Sequence, residues 1–176
     1  VRSRLRQRPR LHLVCFPSAG AGPAQYARWA DELPEAVQVW AVQAPGREAR
    51  VREPAIGALT AIVDELMSPL EPLFDLPVLL FGHSMGSVVA YEVARRRAAG
   101  DGAMPRHLFV SAHRPPSLPS PRPPMRHLDD AALLSKTGQR YINHRRGGSK
   151  HPAVRAGGQE VRVGRWRAVH LPGAGR

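Results

Sequence analysis

The sequence predicts an α/β protein built on a doubly wound, mostly parallel sheet. Two observations carry that expectation. Short apolar, β-prone runs alternate with segments whose apolar residues recur at helical spacing, giving four strands interleaved with three helices. One of those runs, Pro77-Val-Leu-Leu-Phe81, is continuously apolar, as a strand covered on both faces should be, and it leads directly into Gly82-His-Ser-Met-Gly86.

In chain order, Leu11-His-Leu-Val-Cys-Phe16 reads as the first strand and stops at Pro17-Ser-Ala-Gly-Ala-Gly-Pro23, where glycine and proline permit a tight loop. Pro23 suits the first turn of a helix, where its missing N–H costs nothing. Tyr26, Trp29, Ala30 and Leu33 continue that helix to Pro34. Val37–Val42 is the second strand, followed by the turn Ala44-Pro-Gly-Arg47. Ile56, Leu59, Ile62, Val63, Leu66 and Met67 fall on one helical face, which Pro69 and Pro72 end or kink. After the third strand, Met85, Val88, Val89 and Val93 mark a helix ending near Gly100-Asp-Gly102, and His107-Leu-Phe-Val-Ser111 is the fourth strand. Six prolines in residues 114–124 make an extended connection or the base of a lid. Met125–Leu134 starts a further helix with Asp129 or Asp130 near its cap.

Charge divides the chain differently. Its 176 residues hold 26 Lys+Arg against 14 Asp+Glu, a net charge of +12. Residues 1–10 contain five Arg and no acid, residues 11–134 contain 11 basic and 13 acidic residues, and residues 135–176 contain ten basic residues with Glu160 the one acid. Basicity thus belongs to the ends, and a nucleic-acid-coating protein is excluded. No apolar run approaches the roughly 18 residues of a membrane span, and Leu11–Phe16 is too short for a signal segment. Cys15, the one cysteine, excludes a disulfide framework and a Cys-based zinc site, and a cytoplasmic protein is expected. Val1 in place of Met is expected of a fragment or of an alternative start codon. The expected organisation is a basic segment 1–10, a domain over 11–134, and a tail over 135–176.

The chemistry centres on Gly82-His-Ser84-Met-Gly86, a Gly-x-Ser-x-Gly nucleophile elbow. Such an elbow holds its serine on a strained strand-to-helix turn that presents the hydroxyl to substrate, while the glycines let strand and helix approach closely. The helix behind Ser84 supplies free N–H groups for a developing oxyanion. One donor is expected from the backbone N–H of Met85, the other from the loop after the first strand, with Ala19 the choice and Ser18 its neighbour. A phosphate-binding loop is disfavoured because no Gly-Lys-Ser/Thr follows.

Phe16-Pro-Ser-Ala-Gly20, Ala44-Pro-Gly-Arg-Glu48, Phe81–Arg95, Arg114-Pro-Pro-Ser117 and His127-Leu-Asp-Asp130 together resemble the type II thioesterases of polyketide and nonribosomal peptide biosynthesis, over about residues 5–134. The resemblance implies the N-terminal two-thirds of an α/β-hydrolase fold. It also implies a thioester hydrolase with Ser84 as nucleophile, clearing acyl groups from the phosphopantetheine arm of an acyl or peptidyl carrier protein. No metal, organic cofactor, nucleic acid or membrane is implied. Ser18 stands where the family's first motif usually has His or an aromatic residue. The runner-up within serine chemistry is a generic serine esterase or an acyltransferase; Ser87 stands where acyltransferases of similar elbow place Glu, which weighs against an acyltransferase.

The fold supplies its partners in the order Ser, Asp, His. Motifs resembling Gly-Asp-x-Asp-Pro and Gly-Gly-His, where the family places them, do not occur. His170 is the best-placed remaining histidine by order, in a Val-His-Leu-Pro setting that does not match. Residues 135–176, rich in Arg, Gly, His and Pro, are expected to be disordered or read out of frame; the rival reading, a tail that binds anionic partners, has only Tyr141 and Trp166 as aromatics. Thioesterase activity of the chain as written is therefore expected to be weak or absent, and an inactive carrier-binding remnant is the alternative.

Overall fold

The computed structural model describes residues 5–115, 129, 131–132, 135 and 167–170. Contacts divide the chain into one unit of residues 1–117 with 160–176 and a second of residues 118–159. In the second, residues 131, 132 and 135 are helical and the Asp129 carboxylate accepts the N–H of Ala132 at 2.8 Å, the capping expected of it. Most of the 114–124 connection and of the 135–176 tail lies outside the described residues.

The first unit is a five-stranded sheet of β1 (Leu11–Phe16), β2 (Val37–Ala41), β3 (Val78–His83), β4 (His107–Ser111) and β5 (Arg167–His170), in the order β2-β1-β3-β4-β5. The first four are parallel, as the sequence predicts, and β5 is antiparallel to β4. β5 is a departure, since residues 135–176 show no convincing strand in sequence. Four residues pair with the edge of β4, whose backbone groups would otherwise meet only water.

Alternation along the strands sorts the core. Val14, Phe16, Leu80, Leu108 and Val110 face one cluster with Val63 of α2 (Leu59–Leu70) and Val89, Ala90 and Val93 of α3 (Met85–Ala98). Leu13, Cys15, Val39, Ala41 and Phe81 face the other, where Tyr26, Trp29 and Phe81 stack edge to face with centroids 4.8–5.9 Å apart. Burial pushes the thiol of Cys15 well above its ordinary pKa.

Two helices differ from expectation. The first breaks into a 3₁₀ turn, Pro23–Tyr26, and the single turn α1 (Trp29–Glu32). The Tyr26 hydroxyl donates to the carbonyl of Phe16 at 2.9 Å and the Glu48 carboxylate accepts the N–H of Ala24 at 3.1 Å. Held at both points, the segment closes i→i+3 bonds, Gln25 N–H to Gly22 O and Ala27 N–H to Ala24 O. The second helix begins only at Leu59, after an extended approach that takes Ile56 off the helical face. Pro69 sits in its last turn, and a 3₁₀ segment Glu71–Asp75 follows. No helix among the described residues is long and apolar enough to cross a membrane.

Candidate active site

Sheet order fixes where a site can form. β1 lies between β2 and β3, so the chain leaves β1 toward one side, then crosses to the other. Such a switch point opens a crevice at the C-terminal ends of the strands. Phe16 pairs with Gly82, so the loop after β1 and the turn after β3 emerge side by side in that crevice.

Ser84 occupies the turn between β3 and α3 with φ 52° and ψ −115°, a left-handed backbone that a non-glycine residue adopts only at a cost. Its N–H donates to the carbonyl of Ser111 at 2.8 Å, anchoring the turn to the end of β4. Although it stands at the N-cap position, its hydroxyl makes no capping bond and is half-exposed. A β-carbon on Gly82 would overlap the backbone of Gly86 and Ser87, and one on Gly86 would overlap the carbonyl of Phe16. Both glycines are therefore steric requirements, as the elbow pattern predicts. Ser87, fully buried, places its Oγ 2.7 Å from Gly82 O and 3.0 Å from Ser111 O and accepts the Ser111 N–H at 3.3 Å, which ties β3, α3 and β4 together under Ser84.

The Met85 amide opens α3 and has no backbone partner among the described residues, as a first helical amide need not. In the loop after β1, the Ser18 N–H donates to Gln25 Oε1 at 3.1 Å, so it is already engaged. The Ala19 N–H has no partner among the described residues, and Gly20 at φ 79° turns the chain beyond it. The loop is held from a second side by Glu48, whose carboxylate lies over Gly22, where a β-carbon would meet Glu48 Cδ at 2.6 Å. Glu48 itself has φ 42°. Sequence reasoning missed Glu48 and Gln25 as loop supports, although the Ala44–Glu48 motif already stood out.

His12, His83 and His113 all have hydrogen-bond partners other than Ser84. His83 Nδ1 shares a 2.8 Å hydrogen bond with Ser111 Oγ, and burial lowers its pKa. His12 Nδ1 donates to Leu73 O at 2.8 Å beside the start of β3, at the far end of the strand from Ser84. His113 Nδ1 donates to Arg114 O at 2.7 Å. His170 pairs in register with His107, which is level with Leu79, so its backbone lies at the end of the sheet opposite Ser84. Chain order had made it the best remaining candidate base; register removes it.

Beside the elbow lies a cleft of about 90 Å³ between the β1 loop, the 44–47 turn, α2 and α3. Pro17, Ala44, Pro45, Ile56, Met85 and Val89 give it an apolar lining, and Arg47 is its one charged lining residue among the described residues.

The thioesterase-domain family model matches residues 11–145. The chain is 36% identical over 127 residues to thioesterase PikA5 of Streptomyces venezuelae, covering 72% of this chain and 45% of that protein. The solved RedJ, from the prodiginine biosynthetic pathway of Streptomyces coelicolor, superposes with a TM-score of 0.69 at 35% identity, over 79% of this chain and 58% of RedJ. The type II thioesterase BorB from the borrelidin biosynthetic cluster gives a TM-score of 0.66 at 31% identity, over 80% and 59%. The chain spans about half the length of the curated relatives it matches. An elbow serine on a switch-point crevice, a parallel sheet in α/β-hydrolase order and a family match over most of the sequence lead to one assignment: the chain belongs to the thioesterase family.

Proposed function

We propose that this chain acts as a serine thioester hydrolase that removes acyl groups from the phosphopantetheine arms of acyl or peptidyl carrier proteins in polyketide or nonribosomal peptide synthesis, with turnover impaired in the chain as written. The observation that carries the reading is Ser84, strained at φ 52°, uncapped, and set against the free first-turn amide of Met85. Ser84 Oγ attacks the thioester carbon, the Met85 and Ala19 N–H groups hold the oxyanion, and the carrier thiol leaves. Water then attacks the resulting ester to release the acid and restore the serine. A serine hydroxyl needs a base for this, and none of the described histidines is placed to serve. Loss of base and orienter together costs roughly 10⁴–10⁶ in turnover, with some oxyanion-hole catalysis left.

The test is a carrier protein loaded with a propionyl thioester, followed for released propionate and for the intact mass of the enzyme. Slow release or an acylated enzyme, either abolished by Ser84→Ala, is the expected result. Release that survives Ser84→Ala would sink the assignment. A second reading, a remnant that only binds the carrier, follows if no base serves Ser84. That reading predicts carrier binding with neither release nor an acyl-enzyme.

A further inference from the structure

We propose that Arg47 is the substrate-anion receptor of this site: its guanidinium takes an oxyanion carried by the thioester substrate, which makes acyl groups bearing a free carboxylate, of the malonyl type, favoured substrates. The inference rests on the reading of Ser84 as a thioesterase nucleophile and adds to it a substrate class.

Four of the five other buried or half-buried guanidinium groups among the described residues have a carboxylate: Arg6 with Glu35, Arg50 with Glu53, Arg96 with Asp64 and Arg97 with Glu71. Arg47, also half-buried, has none among the described residues. Among the described residues its one side-chain hydrogen bond runs from Nη1 to the carbonyl of Gly46 at 2.8 Å, which leaves most of a five-donor fork without a partner there. A cation against an apolar wall, short of hydrogen-bond acceptors, is costly unless an anion joins it.

The position is also built. Gly46 at φ 75° makes the turn, its N–H donates to Arg50 O at 2.9 Å, and Gln43 Nε2 donates to Arg47 O at 3.3 Å. The backbone on both sides of Arg47 is thereby fixed. Glu48, next in the chain, is turned away and engaged with Ala24. A guanidinium fork matches a carboxylate or a phosphate with two parallel bonds, and the apolar walls of the cleft strengthen the pairing.

A carboxylate on the acyl group and the phosphate of the arm offer the same oxygen chemistry. The cleft favours the first. It is small, and its lining runs from Arg47 to Met85 and Gly86 in the first turn of α3, next to the nucleophile. The carboxyl carbon of a malonyl thioester is two bonds from the reacting carbon, whereas the phosphate is at the far end of the arm.

Binding tests this without turnover. Amide analogues, in which nitrogen replaces the thioester sulfur, are made as propionyl- and malonyl-pantetheine, each with and without the phosphate, and titrated calorimetrically into the full chain. The expected result is malonyl binding about tenfold or more tighter than propionyl, with or without phosphate. Arg47→Met should erase that difference between malonyl and propionyl, and Arg47→Lys, a point charge without the fork, should keep part of it. A gain that follows the phosphate and disappears in Arg47→Met would retain Arg47 as the anion receptor but move its ligand to the arm. Equal binding of all four analogues in wild type and variant would overturn the inference and leave the thioesterase reading standing. Binding of none would overturn both.

Discussion

Gly86 stands directly against the carbonyl of Phe16, so closely that a β-carbon on it would overlap that oxygen and lie 2.5 Å from Pro17 O. The exit of β1 and the first turn of α3 are thus in backbone contact. That contact sets the loop bearing Ala19 beside the elbow bearing Ser84. Two segments separated by 65 residues in sequence, from Ala19 to Ser84, form one site because a glycine removes the atom that would hold them apart.

Gly86→Ala should accordingly be among the most damaging small substitutions in the chain. The obstruction is backbone on both sides, which cannot swing away as a side chain could. Overpacking of this kind costs about 1–3 kcal/mol or more. Gly20→Ala provides the contrast: nothing lies within 4 Å of its β-carbon, and only φ 79° opposes the change, at a cost of about 1–2 kcal/mol. Urea denaturation should rank Gly86→Ala below Gly20→Ala; the reverse order would contradict the packing described.

Ser87→Ala removes a fully buried hydroxyl that serves Gly82 O, Ser111 O and the Ser111 N–H. Leaving those backbone groups short of a partner should cost about 1–3 kcal/mol. Because α3 and β4 are held through this atom, the loss should appear in the unfolding midpoint and in faster amide exchange at Ser111. A neutral effect on both would show that the junction is held by packing alone.

These two residues mark how far the sequence could be read. The strands and the elbow were legible because apolar runs and paired glycines are local signals. Gly82 and Gly86 are where the pattern requires them, and β1 to β4 fall within two residues of their expected limits. The break near Ala27 was not legible, since Tyr26 reaches Phe16 and Glu48 reaches Ala24 across the fold. The isolation of Arg47 was hidden for the same reason, because whether a half-buried guanidinium meets a carboxylate is decided by contacts across the fold. β5 pairs by β4's open edge more than by any strength of its own pattern.

The thiol of Cys15 is fully buried on β1, and burial raises its pKa, so the reactive thiolate is scarce in the folded state. Its reaction with an aromatic disulfide reagent should be governed by unfolding. Labelling should be negligible in buffer and complete in denaturant, with a midpoint matching that from circular dichroism. Prompt labelling in buffer would show that β1 opens locally.

Burial lowers the pKa of His83 below its ordinary value. The folded chain then binds this proton less readily than the unfolded chain, and stability rises with pH wherever the unfolded state binds more protons. The contribution is complete above the unfolded value of about 6.5 and is lost as pH falls from there through the depressed folded value. Urea midpoints at pH 7.5 and 5.5 should differ more for wild type than for His83→Asn, which keeps a partner for Ser111 Oγ but cannot titrate. An equal pH dependence in the two proteins would remove His83 as a source of acid sensitivity.

Glu48 separates a positioning role from a structural one. Its carboxylate accepts the Ala24 N–H and covers Gly22, which holds the Ala19 loop, yet the residue is exposed and its own φ of 42° is unfavourable. Glu48→Gly would relax that backbone while releasing the loop, so folding stability should change little. Acylation of Ser84 by an activated p-nitrophenyl ester should nevertheless slow by about tenfold, part of the roughly 10²–10³ that a lost oxyanion donor costs. Glu48→Gln keeps an oxygen acceptor and should restore most of the rate, because the bond to Ala24 needs a carbonyl oxygen and not a charge. If the loop acts on the oxyanion of the transition state and not on the bound ester, as proposed, the effect should fall on kcat more than on KM. If Glu48→Gly and Glu48→Gln slow acylation equally, charge is what matters and the loop is held by other contacts. If neither slows it, the Ala19 amide is not an oxyanion donor.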